Sequence, residues 1–403
     1  MVLKFPVLVV LVGLSAGPLT SGGLTDSLIR DDRPQPQDWP RPKAEDRPQL
    51  HDWPRPKADD RPQAQEWPCP MASDIQPCVC FTDMYMRPHL DCTGVETDEQ
   101  LQNALEATFP ISNFLEFKID RDPDHCCSGL TTLKPDIFGG LTFEAIIIRG
   151  TYLTSVHDQT FAQSHSTLKH LDLANNELQD FPFVTIPLYR ELQSFSIENN
   201  NFLNLPRIQS TSLEVLRLSG NRNLAFDESV SLVVPSLREI YLSRINLQTL
   251  VPGIFSELEN LTVIDLGENE LEEVDNFAIA TKGQSLASVN LNYNRIVRVR
   301  HDAVHGLISQ ATVTMTNNNV EELPEESWKH IFDQLVPSGS IDLAGNPLTC
   351  GCDIAWIVLE ADDLYRPLIT HTTKCVSGEI LIFLNPSFFC LYCPGYDCIA
   401  KNL

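Results

Sequence analysis

Apolar residues recur through the middle of this chain at a spacing that fits neither a long helix nor a lone strand. Leu168, Leu171, Leu173, Leu178 and Phe181 occupy positions 1, 4, 6, 11 and 14 of a unit whose ninth residue is Asn176. The same template fits Leu192 to Leu205, Leu261 to Val274 and Leu286 to Val299, with Asn200, Asn269 and Asn294 in the ninth place. Looser copies begin at Phe114, Phe143, Leu213, Leu237, Gln310 and Ser338, and from Phe143 onward successive copies stand 21 to 28 residues apart. Alternation at positions 4 and 6 predicts a short strand with one face inward. A further apolar residue at position 19 (Phe161, Ile186, Phe255, Ile279, Val304, Trp328) predicts a second layer behind that strand. No unit can bury its own apolar face, so successive strands must pair in parallel, and the stack needs protected ends. Asn at position 9 can bond backbone groups that are buried where the chain leaves the strand, which an apolar residue cannot do.

This pattern resembles the leucine-rich repeat. The resemblance implies an α/β solenoid, a horseshoe with a parallel concave sheet and disulfide-rich caps at its N- and C-terminal ends. The cysteines fit such caps. Of 12, four lie at Cys69, Cys78, Cys80 and Cys92, two at Cys126 and Cys127, and six at Cys350, Cys352, Cys375, Cys390, Cys393 and Cys398. The first four are similar to the cysteine cap of extracellular repeats of this kind, which implies pairing of Cys69 with Cys80 and of Cys78 with Cys92. Asn346-Pro347-Leu348-x-Cys350-x-Cys352, Trp356 and Cys375 resemble the C-terminal cap. Its six cysteines leave 15 connectivities open, and Cys126 and Cys127 either bond elsewhere or to each other. Gln76-Pro77-Cys78-Val79-Cys80, Leu90-Asp91-Cys92 and Asp98-Glu99-Gln100-Leu101, followed by these repeats, resemble a group of secreted arthropod proteins. That group is named for the non-catalytic subunit of oplophorus-luciferin 2-monooxygenase. The resemblance covers roughly residues 69 to 400 and implies a non-catalytic accessory role beside a small catalytic subunit.

The flanks change the picture further. Lys4, the apolar run Val7 to Leu14 and the small residues Ser15, Ala16 and Gly17 read as a signal peptide over about residues 1–20. No later apolar run approaches the length of a membrane span, and Ala400 to Leu403 form no apolar tail for a lipid anchor. A secreted, extracellular protein without membrane insertion is expected. Residues 21–68 read as a linker, because the 14-residue unit that places Trp39, Trp53 and Trp67 in register is rich in proline. Proline removes donors and fixes φ, so an extended spacer is expected rather than helix or sheet. The same Trp-Pro units also suit a multivalent ligand. Residues 69–113 then form the N-terminal cap, 114–345 the repeats and 346–403 the C-terminal cap. In the first cap, Thr97 to Gln100 fits a capping box at the start of a short helix carrying Leu101 and Leu105.

Net charge is −25 over 403 residues, and the segment 69–403 alone holds 20 basic against 44 acidic residues. Such a surface repels phosphate polyanions, so no nucleic-acid partner is expected. Catalytic motifs are sparse. Gly13-Leu14-Ser15-Ala16-Gly17 has the form of a nucleophile elbow but lies in the signal peptide, and Ser166-Thr167-Leu168-Lys169 is interrupted by a repeat leucine. Cys390-x-x-Cys393 is read as structural rather than redox-active, in an oxidising compartment that also argues against zinc. His301 and His305 stand four apart, as on one helix face, with no third ligand close in sequence. No enzyme activity, cofactor or metal is expected.

Function then falls to the outward strand positions 3, 5, 7 and 8, which make a broad concave platform for a protein partner. Interfaces favour Tyr and Arg. The candidate patch is therefore Arg217, Tyr241, Arg244, Asp265, Glu268, Asn290 and Tyr293. Asn260-Leu261-Thr262 is the one N-glycosylation sequon and precedes a strand. Two binding functions are open: an accessory subunit of a secreted monooxygenase, or extracellular recognition of a microbial glycan or cell-surface partner.

Overall fold

A computed structural model of the chain describes residues 67–121, 129–360 and 363–395. The readings for the signal peptide, the Trp-Pro unit up to residue 66, Cys126, Cys127 and Cys398 lie outside them. Twelve strands form one sheet: β1 (Val79–Thr82), β2 (Pro88–Asp91), β3 (Asn113–Asp120), β4 (Thr142–Arg149), β5 (His170–Asp172), β6 (Ser194–Ser196), β7 (Val215–Arg217), β8 (Glu239–Tyr241), β9 (Val263–Asp265), β10 (Leu286–Asn290), β11 (Leu307–Thr314) and β12 (Ser340–Asp342). Spatial order follows chain order. β1 and β2 are antiparallel, and every later neighbour is parallel.

The register explains the template. Position 4 forms one unbroken ladder: Phe117, Ile146, Leu171, Phe195, Leu216, Ile240, Ile264, Val289, Val313 and Ile341. All ten are buried, as are Phe161, Ile186, Phe255, Ile279, Val304 and Trp328 at position 19. Their side chains share one core running the length of the stack. Truncating one of these leucines or isoleucines to alanine therefore costs about 2–5 kcal/mol.

The position-9 asparagines bind each repeat to the one before it. Asn176 donates from Nδ2 to the carbonyls of Ile148 (2.7 Å) and Leu173 (2.9 Å), and its Oδ1 accepts from the Thr151 amide (3.0 Å). Asn200, Asn221, Asn269, Asn294, Asn318 and Asn346 donate across the same junction. In the repeat that starts at Leu237 the ninth residue is Ile245, and its amide is satisfied by Asn269 Oδ1 of the next repeat (3.0 Å).

Behind the sheet the chain runs mostly through turns, 3₁₀ segments and short parallel pairs such as Ile279–Ala280 with Val304–His305. A full helix forms where the repeat is longest. The 28 residues from Gln310 to Ser338 make room for α2 (Glu325–Leu335), after α1 (Asp98–Leu105) in the N-terminal cap. In α2, Trp328, Ile331, Phe332 and Leu335 recur at helical spacing and are buried. At α1 half of the expected capping box is present: Thr97 Oγ1 accepts from the Gln100 amide (3.2 Å), but Gln100 Oε1 accepts from the Glu96 amide (2.7 Å), one residue before the cap, rather than from Thr97.

Disulfides close both ends. Cys69–Cys80 and Cys78–Cys92 staple the β1–β2 hairpin, with the pairing the resemblance implied. At the far end Cys350–Cys375 and Cys352–Cys393 are formed, and Cys390 is also disulfide-bonded. Because Cys393 is joined to Cys352, it does not form a redox pair with Cys390. The C-terminal cap covers the last strand. Thr370 donates its amide to the Ile341 carbonyl (3.0 Å), and Thr373 Oγ1 accepts from the Leu343 amide (3.1 Å). Trp356 packs edge-on to Phe332 and donates Nε1–H to the Leu323 carbonyl (2.8 Å), tying α3 (Ala355–Val358) to the last repeats.

Candidate binding face

Parallel register places position 5 of successive repeats side by side, so Arg217, Tyr241, Asp265 and Asn290 are direct neighbours across β7 to β10. They are not free side chains. The Arg217 guanidinium lies 4.1 Å from the centre of the Tyr241 ring. Tyr241 Oη donates to Glu239 Oε2 (2.8 Å), which Arg217 also approaches at 3.8 Å. Burial pushes the Tyr241 hydroxyl up to about 12, so it stays a donor at neutral pH. Asp265 accepts from Asn290 Nδ2 (2.7 Å) and from the Gly267 amide (3.0 Å), while burial raises its carboxyl above the usual range.

The other three candidates stand at position 8, on the rim where each strand turns out of the sheet. Arg244 Nε and Glu268 Oε1 are 3.8 Å apart, with both side chains more than half exposed. Tyr293 follows in the next repeat and is half exposed. The structure thus divides the patch into a self-paired floor (Arg217, Tyr241, Asp265, Asn290) and an exposed rim (Arg244, Glu268, Tyr293).

The sequence reading missed part of the face. Arg149 and Glu198 occupy position 7 and Glu239 position 3, outward places that the same register would have assigned. Arg149 bonds Asp172 and lies 3.9 Å from Asp120, while Glu198 is raised by burial. A second surface gave no periodic signal. At the tip of the β1–β2 hairpin, Met84, Tyr85 and Met86 are all strongly exposed. Asp83 holds that tip, since its Oδ1 accepts from the Tyr85 and Arg87 amides at 2.9 Å each.

The histidine pair is not on a helix. His301 lies in a turn and His305 in a short strand, with Asp302 between them: His301 Nδ1 is 2.7 Å from Oδ2 and His305 Nε2 is 3.3 Å from Oδ1. A third imidazole, distant in sequence, approaches from α2: His330 lies 6.1 and 6.0 Å from the other two rings. Among the described residues no group of His, Cys, Asp and Glu has a geometry that holds a metal ion. No helix among them is long and apolar enough to cross a membrane. Asn260 is exposed immediately before β9, with one amide hydrogen donated to the Pro235 carbonyl (2.9 Å).

A parallel strand ladder, Asn-bonded junctions and disulfide-stapled ends make this a leucine-rich-repeat fold, and the Leucine rich repeat family model matches residues 235–280. The chain is 29% identical over 325 residues to the oplophorus-luciferin 2-monooxygenase non-catalytic subunit of Oplophorus gracilirostris, a match covering 79% of this chain and 87% of that one. It is also 29% identical to human vasorin (38% of this chain, 22% of vasorin) and 30% identical to human lumican (40% and 47%). A crystal structure of the leucine-rich repeat domain of APL1B aligns with a TM-score of 0.38 at 18% identity, over 65% of this chain and 74% of that one.

Proposed function

We propose that this chain is a secreted, non-catalytic subunit that binds a small catalytic protein on its concave face, in a monooxygenase complex of the luciferase type. The observation that carries this reading is the similarity to the Oplophorus non-catalytic subunit over most of both chains. Three features support it. The concave face is broad, and each strand is fixed by its neighbours, so contacts there lose little conformational entropy. Its floor residues are paired with one another before any partner arrives. The disulfides at both ends suit an oxidising, extracellular setting.

The test mixes the recombinant chain with the catalytic subunit of oplophorus-luciferin 2-monooxygenase. A stable complex on gel filtration, and slower thermal inactivation of light emission by the catalytic subunit, are expected. The chain alone should emit no more light than a heat-inactivated control. Separate elution of the two proteins, or light emission by the chain alone, overturns the reading.

A further inference from the structure

Position 8 carries a conformational constraint. There the backbone is left-handed at Gly150, Asn175, Asn199, Gly220, Arg244, Glu268, Tyr293, Asn317 and Gly345, with φ between 51° and 78°. The fold imposes it. In this conformation the position-8 amide donates to a carbonyl of the next repeat, as Asn199 does to Ser219 (2.8 Å), Glu268 to Asn292 (2.8 Å) and Tyr293 to Thr316 (2.9 Å). Glycine adopts this region freely and asparagine tolerates it, whereas other side chains crowd the backbone there. Six of the nine positions conform. The three that do not, Arg244, Glu268 and Tyr293, lie in consecutive repeats, so one stretch of the rim carries all of the strain.

Neighbouring position-8 side chains meet across repeats, since Asn199 Nδ2 donates to Asn175 Oδ1 (2.9 Å). Asparagine at 244, 268 and 293 would therefore relax the backbone and place three amide side chains side by side in the same way. Strained residues of this kind cluster at ligand-contacting sites, where the strain is tolerated for function. We infer that Arg244, Glu268 and Tyr293 are the specificity-determining contacts of the binding face, and that their partner is a protein surface bearing a carboxylate and a cation beside an apolar patch. The inference rests on the subunit reading above.

The chemistry of the trio selects that partner. Arg244 and Glu268 are 3.8 Å apart and more than half exposed, so each keeps an open edge for an opposite charge from outside. Tyr293 adds a half-exposed ring at one end of the row. A row of plus, minus and aromatic suits a mixed protein surface. A polyanion would meet Glu268 and the acidic bulk of residues 69–403.

The experiment compares the full chain with the triple variant Arg244→Asn, Glu268→Asn, Tyr293→Asn. Melting temperature and binding to the catalytic subunit of oplophorus-luciferin 2-monooxygenase are both measured. The triple variant should melt roughly 3–6 °C higher, yet bind the subunit at least about tenfold more weakly. A lower melting temperature overturns the strain argument. A higher one with unchanged binding overturns the specificity role while leaving the subunit reading intact. Failure of the parent chain to bind removes the subunit reading and this inference with it. Heparin is the second probe, and heparin binding by the parent that the triple variant loses would assign the row to a polyanion and overturn the protein partner.

Discussion

Arg217 and Tyr241 sit in adjacent parallel strands with the guanidinium 4.1 Å from the centre of the phenol ring, and Glu239 accepts the Tyr241 hydroxyl proton beside them. Ring, cation and carboxylate close a triangle on the floor of the face. Such closure fixes two long side chains in advance and lowers the entropy lost when a partner docks. Tyr241→Phe keeps the ring beneath Arg217 and loses only the bond to Glu239, at about 0.5–1 kcal/mol. Tyr241→Leu loses both, at about 1–2 kcal/mol. Denaturant unfolding measures the difference, and equal costs for the two variants would mean that the ring adds nothing to the pair.

The ninth-position asparagines should be far more sensitive than any residue of the face. Asn269 Oδ1 accepts from the amides of Ile245 (3.0 Å) and Leu247 (3.1 Å), while Nδ2 donates to the carbonyls of Leu242 (2.9 Å) and Leu266 (3.0 Å). Asn269→Leu fits a similar volume but leaves the Ile245 and Leu247 amides and the Leu242 carbonyl without this partner, while the Leu266 carbonyl keeps Asn294 Nδ2 (3.0 Å). The expected loss is at least about 3 kcal/mol, because each orphaned group costs about 1–3 kcal/mol. Urea titration of the parent and the variant checks this, and a loss under about 1 kcal/mol would show that water or a backbone shift satisfies the junction.

The repeat was legible because its physics is local and periodic. Leu168, Leu171 and Leu173 announce a strand, and Asn176 announces the junction that follows it, so sheet, core and stacking order follow from spacing alone. The position-8 conformation was signalled by Gly150, Asn175, Asn199, Gly220, Asn317 and Gly345, a recurrence the sequence reading passed over, while the string Ser243-Arg244-Ile245 by itself records no left-handed φ. It comes from the hydrogen bond to the next repeat. The histidine group was half legible. His301 and His305 are close in sequence, but His330 joins them only because α2 folds back over the preceding repeat. The exposed tip at Met84, Tyr85 and Met86 was invisible for a related reason. Three bulky residues in a row carry no periodic signal, and only the hairpin's turn brings them to the surface.

That third imidazole gives the protein a pH dependence whose sign is fixed by its surroundings. His330 Nε2 accepts from the Val304 amide (3.4 Å), which requires the neutral ring. Burial lowers its pKa to about 4, helped by His305 and His301 and opposed by Asp302. The unfolded chain takes the proton near 6.5, the folded chain only near 4. The stabilising contribution is thus complete above about pH 6.5 and is lost as pH falls from there to about 4. The group is partly exposed, so the full linkage value is discounted to roughly 1–2 kcal/mol. His330→Gln keeps an acceptor for Val304 without titrating. The gap in unfolding free energy between parent and variant should close or reverse by that amount between pH 7 and pH 4. Parallel curves for the two proteins would remove His330 as the cause.

The last prediction separates the folded face from the Trp-Pro segment. Ten of the 40 residues from 31 to 70 are proline, and Trp39, Trp53 and Trp67 recur among them, which is also the composition of a docking ligand. Ordering a peptide ligand on binding generally costs about 1–2 kcal/mol per residue for the backbone. The strands of the face are ordered already. We therefore expect the face to carry the affinity and the Trp-Pro segment to add reach. One variant deletes residues 31–68. The other replaces Tyr241 and Tyr293 with Ala, and Arg217 and Arg244 with Glu. Against the catalytic subunit of oplophorus-luciferin 2-monooxygenase, the deletion should bind within about twofold of the parent. The face variant should lose at least about tenfold, or roughly 1.4 kcal/mol. Circular dichroism and a melting curve check that the face variant remains folded. If the deletion abolishes binding while the face variant keeps it, the tryptophans are the docking element, and the solenoid serves only to display them.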